Sequence, residues 1–186
     1  MKAKVNKVTI QIHQGDIYST EASAIAVQTN TDLALNDGLL AKAGPNLLRE
    51  TTVIGWCDVG SAVITGKGDL PEPIEKVIHV VGPRWGEGSE RGKLSGATHE
   101  CLRLAEINHQ KTLALPPIST GALGYPVENC AKTMLEQAID YTFEELKFLT
   151  KIIFCLDDAI AFEIFKREFS RQLNDLKASG EGKVQV

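Results

Sequence analysis

Residues 112–139 read TLALPPISTGALGYPVENCAKTMLEQAI, and the order of patterns within them is the strongest indication of the fold class. The first five residues form a short apolar run that is typical of a strand buried on both faces of a sheet. A glycine-containing loop follows, and Pro126 stands at the first position of a predicted helix. Apolar residues at helical spacing indicate that helix, namely Val127, Cys130, Ala131, Met134, Leu135, Ala138 and Ile139. A buried strand that leads directly into an amphipathic helix favours an α/β protein.

Strand and helix patterns continue on both sides of this segment. Further strands are predicted from alternating or continuous apolar runs at residues 8–14, 23–28, 59–65, 76–81 and 151–156. Further amphipathic helices are predicted from the apolar stripes between Leu94 and Ala105 and between Ala161 and Leu176. The alternation predicts an α/β fold, a three-layer α/β/α sandwich around a mixed, largely parallel central sheet of about six strands. We expect residues 1–177 to form a single domain and residues 178–186 a flexible C-terminal tail.

Composition and charge argue against several classes of protein. The chain has 186 residues, with 20 Lys and Arg against 24 Asp and Glu, which gives a formal net charge of −4. That balance disfavours a polyanion partner, so we expect no direct binding of duplex nucleic acid. No apolar run approaches the roughly 20 residues that cross a bilayer, so no membrane association is expected. Four dispersed cysteines indicate reduced thiols and a cytoplasmic protein, and the histidines show no metal-ligand spacing, so neither a metal nor a cofactor is expected.

The loop between the quoted strand and helix is the first candidate binding site. Its members are Ser119, Thr120, Gly121, Ala122, Leu123, Gly124 and Tyr125. Main-chain N–H groups in such a loop, ahead of the positive end of a helix dipole, can converge on the oxygens of a phosphate. The loop contains no Lys or Arg and does not match the P-loop pattern, which disfavours hydrolysis of a nucleoside triphosphate. A plain strand-to-helix turn explains the same residues equally well.

Polar residues at other strand ends are further candidates, and each also has a structural explanation. Asp16 follows the strand at residues 8–14, where its carboxylate could accept a hydrogen bond from the exocyclic amine of a base. Asn30 could contact a sugar diol, and Asp37 could position or deprotonate a water molecule. However, Asp after Gly is more often a turn former or a helix cap, and Asn and Asp in loops usually form Asx-turns. Trp56 and Trp85 could stack on a base, although packing is the commoner role of tryptophan.

Five motifs in order along the chain resemble those of the macro domain, an ADP-ribose-binding α/β module. They are QGDI at residues 14–17, AIAVQTN at 24–30, VGSAVITG at 59–66, VIHVVGP at 77–83 and PISTGALGYP at 117–126. Together with the intervening strands they extend from about residue 8 to residue 175, which is nearly the whole chain. The resemblance implies the α/β/α fold and a cleft for ADP-ribose or an ADP-ribosylated macromolecule.

The resemblance also implies a role for each candidate residue. Asp16 would take the adenine amine beside the main chain of Ile17. Asn30 would contact the distal ribose, the sugar at the far end of the ligand from the adenine. Residues 119–125 would wrap the diphosphate and the distal ribose, with Tyr125 as an aromatic lid.

The sequence departs from the family pattern in three places. Leu156-Asp157 stands where many members have an aromatic residue against the adenine, so Leu156 is expected to give apolar contact instead. Val27 replaces the first asparagine of the family's Asn-Ala-Ala-Asn stretch. The glycine-rich run before the next helix is roughly three or four residues shorter, which leaves either Asp37 or Asn36 opposite the aspartate that helps to activate water in hydrolytic members.

Two functions follow from the resemblance, and a third role stays open. The first is a binding module that recognises free ADP-ribose or ADP-ribosyl groups. The second is a hydrolase that removes ADP-ribose from modified side chains or deacylates O-acetyl-ADP-ribose, with Asn30 orienting the distal ribose and Asp37 activating water. The third is an interaction scaffold with a degenerate pocket. Binding ranks first, because the expected contacts to base, ribose and diphosphate are retained whereas the catalytic stretch is altered.

Overall fold

The computed structural model describes residues 1–186, and its eight strands belong to one mixed sheet. The strands are β1 (Lys2–Val5), β2 (Val8–Gln14), β3 (Ala24–Gln28), β4 (Ser61–Gly66), β5 (Lys76–Val81), β6 (Thr112–Leu115), β7 (Lys151–Leu156) and β8 (Val184–Gln185). Their order across the sheet is β4-β5-β3-β6-β7-β2-β1-β8. Strands β5, β3, β6, β7 and β2 run parallel to one another, whereas β4, β1 and β8 pair antiparallel at the two sides.

Helices cover both faces of this sheet. They are α1 (Asp37–Ala43), α2 (Pro45–Ile54), α3 (Glu90–Ile107), α4 (Val127–Tyr141) and α5 (Ala159–Ser179). Helices α3, α4 and α5 pack on one face through the larger apolar core, and α1 and α2 pack on the other through Leu39, Ala43 and Leu47. The predicted α/β/α sandwich around a mixed sheet is therefore confirmed. No helix combines the length and the apolar character needed to cross a membrane.

Local chemistry sets the bounds of the helices that follow the central strands. Asn36 caps α1 by accepting a hydrogen bond from the Leu39 N–H at 2.8 Å, and Gly44 ends it at a φ of 74°. Pro45 then begins α2, because proline is tolerated in the first turn of a helix. Helix α4 begins at Val127, one residue later than predicted, and buries the apolar stripe from Cys130 to Ile139.

The sequence predictions missed elements at the margins of the sheet. The predicted bounds of β2, β5 and β7 are confirmed, whereas the two outer strands β1 and β8 and the helices α1 and α2 were not predicted. Within the segment that the sequence assigns to a tail, α5 continues to Ser179 and β8 pairs with β1. Two hydrogen bonds between Asn6 and Lys183, at 2.7 and 3.1 Å, hold that last segment against the turn after β1.

Candidate functional site

Five parallel strands present their carboxyl ends at one edge of the sheet. The candidate residues that follow β5, β3, β6, β7 and β2 are, in that order, Gly82, Asn30, Ser119, Asp157 and Asp16. The chain leaves β3 toward α1 on one face and leaves β6 for α4 on the opposite face, so a crevice opens between these two neighbours. Strands β2 and β3 are three strand spacings apart, about 14 Å. An elongated ligand can therefore lie across these strand ends.

A cavity of about 620 Å³ occupies the part of this edge next to β2 and β7. Its lining residues are Gln14, Gly15, Asp16, Ile17, Tyr18, Pro116, Pro117, Cys155 and Asp157. The lining therefore has two carboxylates and no Lys or Arg, so it suits a neutral group that donates hydrogen bonds rather than a phosphate. No cluster of three or more His, Cys, Asp or Glu side chains that could hold a metal ion is present anywhere in the chain.

Asp16 caps a turn and also lines the cavity. Its carboxylate caps the 3₁₀ turn at Ile17–Ser19, accepting from the Tyr18 N–H at 3.0 Å and from the Ser19 hydroxyl at 3.4 Å. It also lines the cavity, and a carboxylate keeps further lone pairs for a second donor. The Ile17 N–H beside it donates no hydrogen bond within the protein. An acceptor and a donor thus lie side by side at the mouth of the cavity.

The end of β7 differs from the prediction. Leu156 is fully buried in the larger core and does not line the cavity, because alternate residues of a strand point to opposite faces. Its neighbours Cys155 and Asp157 line the cavity instead. Burial raises the pKa of the Cys155 thiol to about 12, and the thiol donates to the Gly15 carbonyl at 3.4 Å. The Cys155 thiol is therefore protonated at neutral pH and forms part of the cavity wall.

The loop at residues 119–125 carries unused main-chain donors. The N–H groups of Thr120, Gly124 and Tyr125 donate to carbonyls of Pro117, Gly121 and Ser119, at 3.3, 2.9 and 3.0 Å. In contrast, four N–H groups donate to nothing in the protein, those of Ser119, Gly121, Ala122 and Leu123. Unsatisfied N–H groups at the start of a helix form an anion site, and here no cationic side chain contributes.

The aromatic residue beside this loop is Trp85 rather than Tyr125. The Tyr125 side chain was expected to be a lid, but it is only 3% exposed and belongs to the larger core. Trp85 packs edge-on against it with ring centroids 5.0 Å apart and is 43% exposed. The main-chain N–H of Trp85 donates to the Leu123 carbonyl at 2.9 Å, which ties the backbone of Trp85 to the loop. The sequence signal for Trp85 was ambiguous, because tryptophan is more often a packing residue.

The loop after β3 uses its polar side chains internally. The Asn30 side-chain oxygen accepts from the N–H groups of Asp32 and Ala34, both at 3.1 Å, so only its amide nitrogen remains to donate outward. Asn36 is occupied as the cap of α1. Asp37 is the first residue of α1, is exposed, and its carboxylate has no hydrogen-bond or ion-pair partner in the protein. Of the two candidates for the water-activating position, Asn36 is engaged as a cap, and Asp37 has a carboxylate that is free.

The predicted residues are brought to one edge but not into one closed pocket. Asp16 and Ile17 share the cavity, which reaches Pro117, two residues before Ser119. Asn30, Asp37 and the loop at residues 119–125 are not among the residues that line the cavity. The candidate residues therefore extend beyond the cavity along the edge of the sheet.

Comparison with known proteins identifies the family of this chain. The macro domain model matches residues 29–134. The chain is 37% identical over 166 residues to a Pantoea vagans protein named O-acetyl-ADP-ribose deacetylase 1, a match that covers 84% of this chain and 95% of that protein. The Oceanobacillus iheyensis macrodomain with ADP superposes with a TM-score of 0.87 at 23% identity, covering 94% of this chain and 97% of that one. The Trypanosoma brucei macrodomain in complex with ADP-ribose superposes with a TM-score of 0.77 at 24% identity, covering 85% and 68%. The chain belongs to the macro domain family.

Proposed function

We propose that the protein binds ADP-ribose, free or attached to a macromolecule, across the carboxyl ends of β2, β7, β6 and β3. The observation that carries this proposal is the set of four free N–H groups in residues 119–125, which stand between the cavity and Asn30. An anion must therefore lie in the middle of the ligand, with an uncharged group at each end. ADP-ribose has that order: a base, a diphosphate and a terminal sugar.

The base end of the groove suits adenine. The amine and the adjacent ring nitrogen of adenine are a donor and an acceptor. Asp16 offers the matching acceptor, and the free Ile17 N–H offers the matching donor. The cavity lining has no cation, so the phosphates are expected to stay outside it, toward Ser119.

Asn30 and Trp85 are the residues that we expect to contact the terminal sugar. The internal bonds of Asn30 orient its amide nitrogen as a donor to a ribose hydroxyl. The exposed part of the Trp85 indole lies beside the loop and can cover an apolar face of the sugar. Both groups are held by contacts within the protein, so little ordering is needed when a ligand binds.

Calorimetry with ADP-ribose tests the proposal, and the chain offers a matched pair of variants. Asp16 and Asp158 are both exposed residues that cap a helical turn, each accepting a main-chain N–H at 3.0 Å, but only Asp16 lines the cavity. We expect Asp16→Ala to weaken binding about tenfold or more, as the loss of a charge-assisted hydrogen bond does. Asp158→Ala should leave the affinity unchanged. Absence of heat from the wild type at millimolar ADP-ribose contradicts the proposal.

A second candidate function is removal of an acyl group from ADP-ribose or of ADP-ribose from a side chain. The observation that favours it is the free carboxylate of Asp37, since Asn36 is occupied by its cap. The relative from Pantoea vagans is also named for deacetylation. A carboxylate with no partner is available to accept a proton from an attacking water molecule.

Turnover of O-acetyl-ADP-ribose and of a mono-ADP-ribosylated protein tests this second function. We expect Asp37→Asn to lower kcat about 100-fold or more with little change in affinity, because a general base acts mainly in the transition state. Asp32→Asn is the matched control, since Asp32 is an exposed aspartate of the same loop whose carboxylate has no partner in the protein. Equal loss in both variants, or no turnover by the wild type, contradicts a role of Asp37 in hydrolysis.

We also propose a cytoplasmic location and a folded unit that spans residues 1–177. All four cysteines are free and buried, which is typical of a reducing compartment. The single sheet and its two cores leave no boundary between separate units within these residues. Limited proteolysis should release at most a short C-terminal piece, and an internal first cut contradicts the single unit.

A further inference from the structure

Ser119, the first residue of the loop at 119–125, has an unusual conformation for a serine. Its φ is 68°, in the left-handed region that side chains other than glycine rarely adopt. Leu33, in the loop after β3, and Ser119 are the two non-glycine residues with positive φ that lie in the loops of the candidate site. The residue is also only 1% exposed. Some contact must hold a strained residue in place, because it would otherwise relax.

The contact that holds Ser119 is with Gly82, the residue after β5. A Cβ atom built on Gly82 would overlap the Ser119 Oγ and would lie 2.5 Å from Ile118 Cγ2 and 3.0 Å from Gln28 Oε1. The φ of Gly82 is not positive, so its own backbone conformation does not require glycine. Glycine is needed at position 82 to leave space, and the serine hydroxyl fills that space.

Hydrogen bonding does not explain the position of this hydroxyl. Neither the Ser119 Oγ nor the neighbouring Gln28 Oε1 has a partner, although both are buried. Burying a hydroxyl without a partner disfavours the folded state, so stability alone does not account for this arrangement. An unsatisfied group in a native structure is more often tolerated where it serves a functional site.

The conformation of Ser119 determines how the loop after it is arranged. The Ser119 carbonyl accepts the Tyr125 N–H at 3.0 Å, and this hydrogen bond joins the first and last residues of the loop. Between these two positions lie the free N–H groups of Gly121, Ala122 and Leu123. If Ser119 left the left-handed region, its carbonyl would rotate away and the loop would lose this closure.

We propose that Ser119 and Gly82 form a positioning pair for the diphosphate of ADP-ribose. The hydroxyl fits against Gly82, this fit keeps Ser119 left-handed, and the left-handed residue presents the free N–H groups outward. The proposal rests on the proposed binding function and adds Gly82, a residue of another strand, to its determinants. Gly82 and the Ser119 side chain act through the loop and not by touching the ligand.

A double-mutant cycle measured by calorimetry with ADP-ribose tests the pair. Gly82→Ala should weaken binding at least tenfold, because its methyl group displaces the hydroxyl. Adding Ser119→Gly should recover at least threefold of that loss, because glycine vacates the space and adopts positive φ freely. Gly92→Ala, where an added Cβ meets nothing within 4 Å, is the matched control and should bind as the wild type does.

Thermal unfolding of each variant separates positioning from stability. A purely structural role lowers the Tm of Gly82→Ala, leaves the affinity of the folded molecules unchanged and shows no rescue of binding. If Gly82→Ala does not fold, the comparison of Ser119→Ala with Ser119→Gly decides. Ala keeps the strain and loses the hydroxyl, so it should bind at least threefold more weakly than Gly. Equal affinities of these two variants contradict the proposed positioning role of Ser119 and Gly82.

The outcomes distinguish this inference from the proposed function. A wild type that does not bind ADP-ribose overturns both. A wild type that binds, together with a Gly82→Ala variant that binds equally well or a double variant that shows no recovery, overturns the pair alone.

Discussion

The neighbouring strands β3 and β6 end in loops whose main chains are held in different ways. After β6, no side chain of residues 119–125 accepts a main-chain N–H, and four N–H groups of this loop have no partner. After β3, the side chains of Asn30 and Asn36 accept N–H groups of their own segment, at 3.1 and 2.8 Å. The first loop can therefore solvate an anion with its backbone. The second is stabilised by its own side chains, and its N–H groups of Asn30, Thr31, Leu35 and Asn36 also donate to nothing in the protein.

This difference separates two properties of the groove. Affinity for a diphosphate is expected to depend on residues 119–125, where the donors are free. Chemistry on the terminal sugar is expected to depend on the other loop, where Asp37 has a free carboxylate on a capped helix.

The largest expected effect comes from disturbing the loop that carries the free donors. Gly121 has a φ of 76°, and a Cβ there would meet nothing within 4 Å, so Gly121→Val adds backbone strain without a clash. The free loop relaxes, and binding must then restore a conformation that costs about 1–3 kcal/mol. We expect ADP-ribose to bind about 10- to 100-fold more weakly, as measured by calorimetry.

Gly180→Val is the matched control for that experiment. Gly180 also has a positive φ, 72°, and open space around it, but it lies at the end of α5, outside residues 119–125. The same strain there should change stability and not affinity. An equal loss of affinity in both variants would show that the free donors of residues 119–125 have no special part in binding.

The sequence predicted the location of these loops better than their internal state. Strands β2, β5 and β7 were predicted with correct bounds, because the alternating run of β2 and the continuous apolar runs of β5 and β7 leave few alternatives. Helices α1 and α2 were not predicted, because Gly44 and Pro45 interrupt their pattern and α2 buries only Leu47 and Thr51. Which N–H groups stay free depends on φ at single residues such as Ser119, and no local sequence pattern encodes that value.

The site residues show a related limit. For Asp16 the sequence offered a cap or a ligand contact, yet the side chain caps a turn and lines the cavity at once. For Tyr125 the resemblance implied a lid, but its side chain is in the core and Trp85 is the exposed aromatic residue. Both differences arise from packing between distant segments, which spacing along one segment does not specify.

A second prediction concerns the sheet beneath the loop after β3. His79 is fully buried on β5, opposite Val27 of β3, and its Nε2 lies 2.8 Å from Thr65 Oγ1. The Thr65 hydroxyl donates to the Gly66 carbonyl at 2.9 Å, so His79 is the donor to Thr65 and its Nδ1 is left bare and unpartnered. Burial lowers the pKa of His79 to about 4.

This lowered pKa makes folding sensitive to acid. The unfolded chain binds a proton on His79 below the ordinary pKa of about 6.5, whereas the folded chain does not until about pH 4, so stability falls as the pH drops between these values. At pH 5 we expect a loss of about 2 kcal/mol relative to neutral pH. Urea unfolding of the wild type and of His79→Gln measures it, and an identical pH dependence in both proteins excludes His79 as the cause.

The smallest expected effect tests whether the capped loop contributes to stability alone. Asn36→Ala removes the acceptor for the Leu39 N–H and should lower the free energy of unfolding by about 1 kcal/mol. The affinity for ADP-ribose should change less than twofold, because the Asn36 side-chain oxygen is engaged by its own helix and Asn36 does not line the cavity. Asn36→Asp keeps a capping oxygen and should restore stability, which chemical unfolding measures. If Asn36→Ala instead weakened binding as strongly as Gly121→Val, the two loops would form one cooperative unit, and the contrast between a binding loop and a supporting loop would be wrong.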